Sequence, residues 1–302
     1  MPSHIFTRLG IWEESIQSNI QSAENARCYT QAIGINEGYY EELHAIDYLV
    51  YAYLQKGDNT RAEEQYELVN KLRSFYPTTI TAVIYPIAAI PSRLALENKN
   101  WERAAKLELQ EMDLDWEQFP WQKAIHHFSK ALGSANTKDF SLAEEQIIML
   151  TKLHENLAAQ NDRSKLIQVK QVEIQIKTAQ AWLHFNKNDK ENGLALMQEA
   201  VAMERKTSLH PVTPGDVLPA IELLGDMLLK MNRPKEALVA YQENQNKHPH
   251  RFNGIYGAAL AAKQSGDQEK AIQYFKQLLE LSKNTNSTRP EIEEAINFVQ
   301  QS

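Results

Sequence analysis

One stretch of the chain repeats itself at a fixed interval, and this limits the fold more than any other feature. LGDMLLKMNRPKEALVAYQEN begins at Leu224, and AALAAKQSGDQEKAIQYFKQL begins at Ala258. Aligning Asn232 with Gly266 also aligns Ala237 with Ala271, Tyr241 with Phe275 and Asn244 with Leu278, an offset of 34 residues. A period of this size is one helix–turn–helix unit, which buries its apolar face only by stacking on neighbours. Asn232 and Gly266 are residue types that adopt the left-handed conformation closing a helix. Five residues on, a small Ala lets two helix backbones approach, and four residues later an aromatic covers the same face.

The signature recurs upstream with looser spacing. Gly57-Asp58 leads to Ala62 and Tyr66, Trp101 to Ala104, Phe140 to Ala143 and Ile147, and Asn188-Asp189 to Gly193, Met197 and Ala200. At the start, Gly10-Ile-Trp12 leads to Ser15. Turn points near 10, 57, 99, 138, 188, 232 and 266 predict seven helix pairs of uneven length. The excess over the short period falls in longer helices or in connections such as Thr207 to Asp216 and Lys283 to Thr288. Pro249 stops the second helix of its unit. The expected fold class is an all-α solenoid, read as a single domain over 1–302.

Both ends carry expectations. Thr288-Arg-Pro290-Glu291 reads as a capping box opening a last helix over Glu291–Gln300, within a capping segment of about 289–301. Residues 1–30 read as an incomplete first repeat, so the chain is expected to continue a longer array or to be covered there by a partner. Self-association through that N-terminal face is a further expectation.

Composition agrees with helix and narrows the function. Gly and Pro number only 11 each, against long runs rich in Ala, Leu, Glu, Gln and Lys. A net charge of −7, with Lys and Arg interleaved among acids, argues against a phosphate-binding surface and hence against nucleic acid. Cys28 is the one cysteine, which excludes an internal disulfide and a Cys-based zinc site. No segment approaches ~18 consecutive apolar residues, so no membrane insertion is expected. The start, MPSHIFTR, lacks the apolar stretch of a signal peptide, and the cytoplasm is the expected location.

Several segments are more specific than repeat spacing. MPSHIFTRLGIWEESI, ELHAIDYLVYAYLQKGD, AAIPSRLALENKNW, AIHHFSKALGSA, QVEIQ, HPVTPGDVLPAIELLGDMLLKMNRPKEALVAYQ and HRFNGIYGAALAAKQSGD span almost the whole chain. In these the chain resembles a group of bacterial tetratricopeptide-repeat proteins, usually larger and of poorly defined function. The resemblance implies a right-handed superhelix of helix pairs and implies no particular activity. Members of that group often begin well before the PSHIF segment.

In such an array the first helix of each pair lines the concave side. By phase from the turns, the inward candidates are His4, Arg8, His44, Asp47, Tyr51, Arg93, Glu97, Glu222, Asp226 and Tyr256. A polar groove with Tyr for rigid contact and Arg for carboxylates suits a peptide or a partner protein. The bland reading is a wetted polar face. His44 and Asp47 are three apart and share a helix face, and His4 is at the equivalent position of the preceding helix. They suggest a metal- or small-ligand-binding module or an enzyme, against a hydrogen-bonded patch in which Asp47 orients His44.

Of His126 and His127, one is expected to be exposed. The stiff loop His210-Pro-Val-Thr-Pro-Gly215 is expected to shape a connection between repeats. Asp113-Leu-Asp115-Trp116-Glu117 lacks the spacing of a calcium loop and reads as an acidic connection. Trp116, Phe119 and Trp121 beside it are expected to pin that connection to the core. No phosphate-loop, dinucleotide, HExxH or GxSxG motif occurs. The expected function is therefore a non-catalytic scaffold for a protein or peptide partner, with no cofactor and no metal.

Overall fold

The computed structural model describes residues 2–77, 81–112 and 114–301. Among them the chain forms α1 (Pro2–Leu9), α2 (Trp12–Ile33), β1 (Gly38–Tyr39), α3 (Tyr40–Gln55), α4 (Asn59–Asn70), β2 (Phe75–Tyr76), α5 (Thr81–Glu97) and α6 (Trp101–Ala105). It continues with α7 (Pro120–Thr137), α8 (Phe140–Ala159), α9 (Leu166–Asn186), α10 (Lys190–Lys206), α11 (Ala220–Lys230), α12 (Pro234–Lys247), α13 (Phe252–Ser265), α14 (Gln268–Leu281) and α15 (Pro290–Gln300). The expected all-α class is borne out, and α1 to α14 fall into seven consecutive pairs.

The pairs close by one local device. The turn residue is left-handed in all seven: Gly10 (φ +67°), Gly57 (+72°), Lys99 (+50°), Lys138 (+68°), Asn188 (+68°), Asn232 (+57°) and Gly266 (+83°). In four pairs the next residue then caps the second helix. Asp58, Asn100, Asp139 and Asp267 accept the backbone N–H three residues on, at 3.2, 3.0, 3.1 and 3.1 Å. Such a cap satisfies a donor the helix start leaves open.

The fifth residue past the turn is small and buried in every pair: Ser15, Ala62, Ala104, Ala143, Gly193, Ala237 and Ala271. Gly193 shows why: a Cβ there would lie 2.8 Å from the Ala181 carbonyl oxygen and from the Phe185 nitrogen on α9. The spacing is thus stricter than the sequence suggests. What varies is helix length, from five residues in α6 to 22 in α2.

The chain divides into two compact units, Met1–Gln21 with Tyr48–Gln65 and Ile221–Ser302, and Ser22–Asp47 with Tyr66–Ala220. The division falls within α2, α3 and α4 and after the first residue of α11. The first unit joins segments far apart in sequence. Trp12 Nε1 donates to the His250 carbonyl (2.7 Å), Ser287 Oγ to the Gly57 carbonyl (2.7 Å), and the Phe252 N–H to Gln55 Oε1 (3.3 Å). Its core gathers Phe252, Ile255, Ala259, Phe275, Leu278 and Ala295. Tyr241 lies so close to Gly225 and Gly257 that a Cβ on either would meet its ring at 2.6 and 2.2 Å.

At the last helix one expectation is corrected. The N-cap of α15 is Arg289, with no side-chain capping bond, and Pro290 is the first helical residue. No Thr288–Glu291 capping box forms, because the Glu291 carboxylate is taken by the Arg289 guanidinium at 2.8 and 3.0 Å. Arg289 also donates to Asn253 Oδ1 (3.1 Å) and lies over the Phe252 ring.

The second unit is built around α7, which packs on α5, α6, α8 and α9. Gly133 permits the closest approach, since a Cβ there would sit 2.3 Å from the Ala105 nitrogen. The placement of α7 corrects another expectation: His126 and His127 are both buried. A helix enclosed on several sides has no solvent face onto which either ring can turn. A two-residue parallel pairing, Gly38 with Phe75 and Tyr39 with Tyr76, links two connections of this unit. No described helix is long and apolar enough to cross a membrane.

Candidate functional site

The ten groove candidates separate by burial. Asp47, Tyr51, Arg93, Glu97 and Glu222 are buried, whereas His4, Arg8, His44, Asp226 and Tyr256 are partly exposed. The first five are thus turned into the folded chain, and of them Asp47 also borders the cavity described below. Burying a charge costs several kcal/mol unless it is paired, and the structure shows the pairing for most of them.

In the first unit Arg251, fully buried, is the centre. Its Nε and Nη2 reach the two carboxylate oxygens of Glu222 at 2.9 and 3.1 Å, and its Nη1 donates to the Tyr51 hydroxyl at 2.9 Å. Asn244 Nδ2 donates to Glu222 as well (3.1 Å). Tyr51 meets Trp12 edge to face, and His4 stacks flat on Tyr48 with ring centres 4.8 Å apart. Asp226 accepts from the Tyr241 hydroxyl (2.5 Å), and the Tyr256 hydroxyl donates to Glu294 (2.6 Å). Burial and the neighbouring carboxylate each push both tyrosine hydroxyls well above their ordinary range.

In the second unit Arg93, also fully buried, pairs with Asp47 and donates to the Tyr85 hydroxyl (3.0 Å) and to the Gly215 carbonyl (3.1 Å). Burial pushes the Asp47 carboxyl up to about 6 against the pull of Arg93, and the Tyr85 hydroxyl up to about 12. Burial lowers the His44 pKa, so this imidazole is neutral at pH 7. Asp47 thus answers to Arg93. His4 belongs to the first unit, and His44 and Asp47 to the second.

Beside this network lies a cavity of about 350 Å³. His44 and Asp47 of α3 border it, with Tyr85 and Pro86 of α5 and the start of α7 from Phe119 to Gln122. Leu157, Ser164, Lys165, Gln168 and the His210–Thr213 loop also line it. The Trp121 ring lies against those of Tyr85 and His210, with ring centres 4.8 Å away in each case. The loop expected to shape a connection also walls this cavity, and Thr213 hydrogen-bonds the Tyr85 hydroxyl.

The acidic connection has local roles. Asp115 caps the turn Trp116–Gln118 by accepting the Glu117 N–H (3.1 Å), and Glu117 pairs with Lys123. Asp113 lies outside the described residues. Trp121 is buried, as expected of a pinning residue, while Trp116 and Phe119 are partly exposed. Sequence reasoning missed Arg251, Tyr85 and the part played by Trp121. The one signal for Arg251 is its place directly before α13, in the segment HRFNGIYG.

With this geometry in place, residues 254–285, which take in α14 and most of α13, match the family model of the tetratricopeptide repeat. The match covers one helix pair and supports a protein of the tetratricopeptide-repeat type. No curated protein matches the chain.

Proposed function

We propose that the protein is a non-catalytic, cytoplasmic interaction scaffold that binds a peptide or partner protein, and that it belongs to the bacterial group it resembles. The observation that carries this is the seven-fold recurrence of one pairing device, together with the tetratricopeptide match over 254–285. Arrays of this kind offer extended surfaces on which side chains of successive helices meet one ligand. In this reading the partly exposed residues His4, Arg8, His44, Asp226 and Tyr256 meet the partner. The buried Asp47, Tyr51, Arg93, Glu97 and Glu222 hold the helices that present them. The pairing of Asp47 with Arg93 weighs against a metal or catalytic role for His4, His44 and Asp47.

The test is a peptide array probed with the full chain. Capture of a discrete sequence set, weakened by His44→Ala or Arg8→Ala in a variant that keeps its helical signal, is expected. Uniform failure to capture any peptide would remove the reading. Metal analysis of protein purified without chelator is expected to give under ~0.2 equivalents of zinc, iron or manganese, since a built site binds tightly. Self-association through α1, where Ile5 and Leu9 are exposed, is read by light scattering.

A further inference from the structure

The charge around the cavity of the second unit does not balance. Asp47 is the one carboxylate among the lining residues, and buried Arg93 compensates it. Lys165 is the one lining ammonium. It hydrogen-bonds the neutral Gln160 carboxamide and forms no ion pair among the described residues. Asp162 nearby is exposed, and it accepts from the Ser164 backbone N–H and hydroxyl at 2.9 and 2.7 Å. One positive charge at the cavity is therefore left without a paired acid.

The helices placed there add to it. Lys165 is the N-cap of α9, and Phe119, also at the cavity, is the N-cap of α7. Neither start carries a side-chain cap, and both present the positive end of a helix dipole. Gln168, three residues beyond Lys165 on the same helix edge, brings a carboxamide N–H donor to the space. These groups favour an anion that accepts hydrogen bonds.

The rest of the lining sets the body of the occupant. The rings of Tyr85, Trp121 and His210 are in contact, with interplanar angles of 31° and 35°, so they form one connected aromatic surface. Phe119, Pro86 and Pro120 border the same space. Aromatic surfaces favour a flat ring lying offset on them or meeting them by its edge. The volume of about 350 Å³ is at the lower end of the range for small ligands, which suits a single ring system.

From this convergence we infer that the cavity binds a small planar aromatic carboxylate, its ring system against the aromatic lining and its carboxylate toward Lys165 and Gln168. The inference goes beyond the scaffold reading and stands without it.

The probes share one ring and differ in charge: indole-3-acetate, neutral indole-3-acetamide and cationic tryptamine. Each is titrated into the full chain and followed through the Trp121 indole and Gln168 carboxamide NMR signals. Indole-3-acetate is expected to move both signals and to bind about tenfold more tightly than the amide, with tryptamine inactive. Cyclohexylacetate, which keeps the charge and lacks the flat ring, is expected to bind more weakly than indole-3-acetate. Lys165→Gln, at a partly exposed position, is expected to abolish the preference for acid over amide. The Trp121 signal of the unliganded variant at its native position shows that the fold is kept. Equal binding of the three indoles, an acid preference that survives Lys165→Gln, or no shift at millimolar indole-3-acetate overturns the inference. Peptide capture on the array without indole-3-acetate binding leaves the scaffold reading and removes this one. The reverse result removes the scaffold reading and leaves this one.

Discussion

At the residue scale, two buried arginines account for the burial of Asp47, Tyr51 and Glu222. Arg93 and Arg251 each draw in a carboxylate and a tyrosine hydroxyl. Removing one partner of such a pair leaves an uncompensated charge, so Arg93→Leu is expected to cost about 3–5 kcal/mol in urea unfolding. His126 gives a pH dependence. Burial, followed by the field of His127, holds its pKa down to about 3 from 6.5. Between those values the unfolded chain binds the proton and the folded chain does not, so stability falls as pH drops from 6.5 toward 3. At roughly 1.4 kcal/mol per unit the effect is on the order of a few kcal/mol. His126→Gln is expected to flatten the profile of urea midpoint against pH, and an unchanged profile would refute the assignment.

At the element scale, a left-handed residue and a small residue five places on are enough to define each pair. Lys138 occupies the left-handed site at some strain, and Gly relieves it. Lys138→Gly is therefore expected to leave stability unchanged or raise it by up to about 1 kcal/mol, while Lys130→Gly inside α7 lowers it by about that amount. Ala271→Leu, at a fully buried helix contact, is expected to cost about 1–3 kcal/mol by overpacking. Thermal unfolding checks all three. This level of structure was legible in the sequence because turn, cap and small residue lie within a few positions of one another. The site was not. Whether Tyr51 and Glu222 face solvent depends on Arg251, 200 residues from Tyr51, and Asp47 depends on Arg93, 46 residues away. Helix phase alone cannot report such closures. The same holds for His126, whose burial comes from neighbours on several sides rather than from its own helix.

At the scale of the whole molecule, the first unit draws on both ends of the sequence, so changes near one end register near the other. Arg251→Ala is expected to raise hydrogen exchange in residues 48–57, although the substitution lies in the last third of the chain. Exchange changes confined to α11–α14 would contradict the role given to Arg251. The second unit carries the cavity beside Arg93 and Asp47. The most direct measurement is calorimetric titration of an array-selected peptide into the full chain and into the Arg8→Ala, His44→Ala double variant. The account predicts a Kd at least tenfold weaker for the variant with its helical content unchanged. An identical Kd for the two proteins would contradict it.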